Sequence, residues 1–174
     1  MTVETIDISK LSTFHKNNKF TITGIENHHD EIASHVVLLH GHLTNILGPA
    51  MVQSATGNRI APKVFCDAMR QVLKHTLALC ELMEYEFYED EGFESYEQSL
   101  DPIVKNDTIL TLTMMMMSVL DILHYLYLDM DTKPVWAETE VPAAIEENIF
   151  SLIVGIRALG KKQGFSFADV LHGL

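Results

Sequence analysis

Glu81 and Glu84 stand three residues apart in a stretch of helical spacing, so both carboxylates leave one face of a helix. Like charges so placed repel, and a cation between them relieves the cost. Mg²⁺ suits such oxygens, because it combines carboxylates, waters and substrate phosphates. Asp121 and His124 are also three apart, inside the apolar run Leu120-Asp121-Ile122-Leu123-His124-Tyr125-Leu126. A buried Asp must be hydrogen-bonded, paired or metal-bound. If Asp121 faces Glu81 and Glu84 from a neighbouring helix, the three acids make a cation site. The plainer reading is a solvated acidic face and an Asp–His pair that satisfies itself.

A second group lies nearer the N-terminus. His28, His35 and His42 recur every seven residues, with Glu31 beside them. His28, Glu31 and His35 on one helix are an alternative metal set, suited to Zn²⁺, Fe or Ni²⁺. Histidines along a helix edge explain the same spacing without a metal. Glu81 to Asp101 is a third feature. It holds nine acidic residues and no Lys or Arg, and it could steer a basic protein partner.

These residues need helices to position them. Ile32, Val36, Leu39, Leu43 and Ile46 form one apolar stripe, predicting a helix over 28–47 that stops at Gly48-Pro49. A second helix is predicted from Pro62 to Tyr88, and an acidic connection from Glu89 to Lys105. A third starts near Asn106 or Asp107, either of which can cap it, and runs to about Met130. It is apolar almost all round and should be the most buried. A loop covers 131–142, then a fourth helix runs from about Pro142 to Lys162, with Gly164 as its C-cap glycine. Ser166 with Asp169 looks like the cap of a last short helix, Phe167 to His172. Lys19 to Gly24 alternates enough for a short strand. The expected architecture is all-α, a four-to-five-helix bundle over 27–174, with an irregular N-terminal arm over 1–26. The third helix has more apolar surface than one small bundle covers, so a homodimer is expected to bury its far side.

The motifs carry a resemblance. Leu79-Cys80-Glu81-Leu82-Met83-Glu84 looks like the first acidic motif of the all-α NTP pyrophosphatases, the group of MazG-like enzymes and dimeric dUTPases. Asp121-Ile122-Leu123-His124-Tyr125-Leu126 is similar to the second motif of the dUTPase branch, and Gly164-Phe165-Ser166-Phe167 resembles the turn ending a later helix. The order is right, and the resemblance spans about residues 70–172. It implies hydrolysis of a nucleoside triphosphate to a monophosphate and pyrophosphate. Glu81, Glu84 and Asp121 would hold Mg²⁺, and His124 would be a supporting, substrate-binding group. The chain also departs from the pattern. Met117 and Ser118 stand where the second motif has a Glu, and Phe87-Tyr88-Glu89 stands where the dUTPase branch has Lys-x-Trp. The Lys and Asn that end dUTPase-type chains have no counterpart before Leu174. Either another carboxylate substitutes, or the scaffold has lost catalysis.

Composition bounds these readings. The chain has 174 residues, with 12 Lys and Arg against 24 Asp and Glu, for a net charge of -12. That disfavours nucleic-acid binding, which needs a cationic surface. Hydrophobic residues are 47 %, enough for one sizeable core. Cys66 and Cys80 read as reduced, buried thiols, and Met1 to Lys10 has no signal-peptide core, so a cytoplasmic protein is expected. Ile109 to Leu128 has the length of a membrane span, but Asp121 within it and the lack of a flanking Lys/Arg cluster favour a core helix. No phosphate loop, dinucleotide fingerprint or nucleophile elbow occurs. Three readings stand: a Mg²⁺-dependent pyrophosphohydrolase or its descendant, a non-enzymatic acidic interaction protein, and a His-based metalloprotein.

Overall fold

The computed structural model describes residues 11, 22, 24–25, 28–83, 91–100, 102–128, 143–172 and 174. Every secondary-structure element among them is a helix. They are α1 (His28–Thr56), α2 (Pro62–Leu82), α3 (Glu91–Ser99), α4 (Pro102–Asn106), α5 (Thr108–Leu128), α6 (Ala143–Gln163) and α7 (Phe167–Leu171). Most of the expected strand and the whole 131–142 loop lie outside the described residues.

The α1 stripe is buried as expected, but Gly48-Pro49 does not end the helix, which continues to Thr56 with Pro49 inside it. Proline lacks an N–H and crowds the carbonyl four residues back. Gly48 and Pro49 both sit on the exposed side, where water can serve that carbonyl. Ala50 meanwhile extends the buried stripe by another turn.

The acidic connection is not simply a loop, because α3 and α4 form within it. The Tyr96 ring lies 6.3 Å from that of Phe150. Beside it, the buried Arg157 of α6 donates through Nη1 to Glu97 Oε2 at 2.5 Å. An aromatic contact and a charge pair thus fasten α3 to α6.

Asp107 starts α5 by accepting from the Leu110 N–H at 2.9 Å. The most buried helix is nevertheless α6, in which every residue from Ser151 to Gly160 is buried. On α5, Leu110, Met117, Leu120 and Tyr125 are exposed. The cause is neighbours: among the described helices, α6 touches α2, α3, α4, α5 and α7, whereas α5 touches α1, α4 and α6. Thr108–Tyr125 is long and apolar enough to cross a membrane by length and composition, and a third of it is buried inside the protein.

At the end of α6, Gly164 takes a φ of 86° while its N–H and that of Phe165 close onto the Gly160 carbonyl at 2.8 and 3.0 Å. A Cβ on Gly160 would stand 2.6 Å from the Phe165 carbonyl oxygen, so this turn needs glycine there too. Ser166 and Asp169 then form the expected capping box. The Ser166 N–H and hydroxyl hold the Asp169 carboxyl below its usual range. Arg70 of α2 donates to the Asp169 and Val170 carbonyls at 2.9 and 3.4 Å, tying α7 down.

The long helices close a cycle of contacts: α1 on α2, α2 on α6, α6 on α5, and α5 on α1. Gln53 Nε2 donates to Gln163 Oε1, and Gln163 Nε2 donates to Thr108 Oγ1. These bonds gather the C-terminal ends of α1 and α6 with the start of α5, and Pro62 at the start of α2 lies beside Gly164. Helices α1 and α6 therefore run one way and α2 and α5 the other, so each contacting pair is antiparallel. The segment after α2 must return to the starting end before α5 begins, and α3 and α4 lie along that return.

Candidate functional site

Glu81 stands in the last turn of α2, half-buried. Asp121 and His124 are both exposed on α5. Val119 and Ile122 flank Asp121 and are fully buried, so the carboxyl faces outward. The helices carrying Glu81 and Asp121 occupy opposite corners of the cycle and do not touch. Asp121 and His124 thus share a face, while Glu81 stands apart from them. Glu84 lies outside the described residues, as do Glu86, Glu89 and Asp90. Among the described residues, no three or more His, Cys, Asp or Glu are grouped to hold a metal ion. Within one copy, then, the described acids do not assemble a Mg²⁺ site.

The alternative metal set is also spread out. Glu31 Oε1 accepts from the Ile22 N–H at 3.3 Å. The His28 side chain lies outside the described residues. His35 turns towards α2, where its Nδ1 lies 2.8 Å from Nδ1 of His75. His42 stacks on the same ring, with centroids 5.4 Å apart. The real histidine group is therefore His35, His42 and His75, at the seam of α1 and α2.

One Nδ1 of the close pair must donate and the other accept, so at least one ring is neutral. Burial lowers the His75 pKa to about 4, helped by His35, His42 and Lys74. His42 is lowered too, by burial and then by Lys74. No carboxylate is among the groups acting on either ring. His42 and His75 therefore resist protonation where they meet. The sequence could not place His75 in it, because only the pairing of α1 with α2 brings residues 35 and 75 together.

Other expected features have structural partners. Glu97, from the acidic segment, is engaged by Arg157. Ser118, standing where the resembled motif has a Glu, is buried and bonded to Ser151 Oγ at 2.8 Å. Cys66 and Cys80 are free, buried thiols, and burial raises the pKa of both. That suits packing rather than nucleophilic work. Comparisons with protein-family models, curated proteins and solved structures find no match for this chain.

Proposed function

We propose that the chain is a homodimeric four-helix-bundle protein of the nucleoside triphosphate pyrophosphohydrolase type, whose acids meet between copies. The motif resemblance supplies the chemistry, and the outer face of α5 supplies the geometry. Asp121 and His124 stand exposed there among Met117, Leu120 and Tyr125, which are exposed as well. This is the observation that carries the reading. Apolar residues gain by being covered, and a second copy laid on that face would take Asp121 out of open solvent. Since α2 and α5 do not touch in one copy, Glu81 and Glu84 would reach Asp121 from the other.

The test mixes two variants. Hydrolysis of dUTP and the other common triphosphates is assayed with Mg²⁺ for the wild type, Glu81→Gln, Asp121→Asn and a refolded mixture of the two. Each variant alone is expected to be inactive, and the mixture to regain activity, because one of the two shared sites in a mixed dimer is intact. An inactive mixture from an active wild type would refute the shared site. A wild type inactive with every nucleotide would refute catalysis. Elution as a monomer would refute the dimer.

A further inference from the structure

The end of the molecule where α1 and α6 finish holds a cleft of about 760 Å³. It lies far from the acids. Glu81 is 19 residues into α2 and Asp121 is 13 residues into α5, both helices starting at the cleft, which is roughly 28 and 20 Å along their axes.

Arg59, Lys161 and Lys162 line the cleft, against the single carboxylate of Asp107, which is occupied in capping α5. None of the three cations forms an ion pair among the described residues. In a chain with twice as many acidic as basic side chains, such a gathering of unpaired cations is out of character. Lysines in a last helical turn do complement the helix dipole. That accounts for Lys161 and Lys162 but not for Arg59, which follows Gly57 in the turn before α2. The start of α2 adds to the positive wall, because Ala61 offers it no side-chain cap.

The size of the cleft points to a ligand richer than a simple anion. The volume is within the range of small-molecule sites and far exceeds what one phosphate fills.

We infer that this cleft binds a nucleotide-sized organic phosphate, its phosphates held by Arg59, Lys161 and Lys162 and its organic part filling the rest of the volume. The site works without metal and independently of the acids, so it stands or falls apart from the pyrophosphohydrolase reading.

Calorimetry on the full chain in EDTA at low salt, with ADP, pyrophosphate and inorganic phosphate, tests the inference. ADP is expected to bind most tightly and inorganic phosphate least. Lys161→Gln/Lys162→Gln should weaken ADP by about tenfold or more, while the ligand-free variant still melts cooperatively because both side chains are exposed. Asp121→Asn should change neither ADP nor pyrophosphate binding. Absence of heat with millimolar ADP or pyrophosphate, or equal ADP binding by the double-lysine variant, would overturn the site.

Discussion

His75 shows how one residue can set a condition on the whole fold. The residue is 8 % exposed and its ring lies between those of His35 and His42, where burial disfavours its charged form. A histidine whose pKa is depressed in the fold gains its proton on unfolding, between the two pKa values. Stability is therefore complete above the unfolded pKa of 6.5 and falls as the pH drops towards about 4. After allowance for solvent screening, the loss is about 2 kcal/mol. In a chain of this size that is a melting temperature lower by roughly 4–8 °C. Asp169 moves stability in the same direction in acid, since its depressed carboxyl pKa favours the fold only while ionised. The informative quantity is thus the difference between wild type and His75→Gln from pH 7 to pH 4.5. Wild type should lose more of its melting temperature than the variant. Parallel pH profiles would mean that His75 is not kept neutral by its surroundings.

Between elements, the seam of α5 and α6 decides what Ser118 is for. The Ser118 and Ser151 hydroxyls meet inside it, and Met115 lies so close to Gly155 that a Cβ there would stand 2.5 Å from its Cγ. Packing this close leaves no room for an extra carboxylate. Ser118→Glu would bury an unpaired charge and is expected to cost about 3 kcal/mol or more, read as a lower urea midpoint. A variant as stable as wild type, or one stabilised by Mg²⁺, would show that the seam opens to solvent and that position 118 can rejoin an acidic site.

The same seam shows what the sequence could disclose. Apolar periodicity and local caps located the helix faces and ends at Ile32–Ile46, Asp107 and Gly164–Asp169, because those signals act within a few residues. Pro49 misled, since its cost depends on which side of α1 it occupies. The high apolarity of α5 suggested depth, yet depth depends on how many helices surround an element, and α6 has more neighbours. The site was less legible still. Asp121 and Glu81 have the right types and spacing, but whether their helices touch is a matter of packing order. His75, Arg59 and the lysine pair gain meaning only from distant partners.

At the scale of the molecule, the net charge of -12 sets the chain against itself. Arg157–Glu97 is largely shielded, with side chains 6 % and 22 % exposed, and salt will hardly weaken it. Arg70–Asp67 is more open, and such pairs contribute little. The twofold excess of acidic over basic side chains predicts that diffuse repulsion between like charges dominates the response to salt. Raising NaCl from 10 to 150 mM shortens the screening length from about 30 to about 8 Å. The melting temperature at pH 7 is expected to rise by roughly 2–4 °C, as about 1 kcal/mol of repulsion is removed. The rise should vanish near pH 5, where the sequence pI of about 5.0 leaves little net charge. Chloride held in the basic cleft would also stabilise the fold, and Lys161→Gln/Lys162→Gln separates the two causes. Losing two cations makes the chain more negative, so global repulsion predicts a larger salt response in the variant, whereas anion capture predicts a smaller one. A fall in melting temperature with salt at pH 7 would show that favourable surface pairs outweigh the net repulsion.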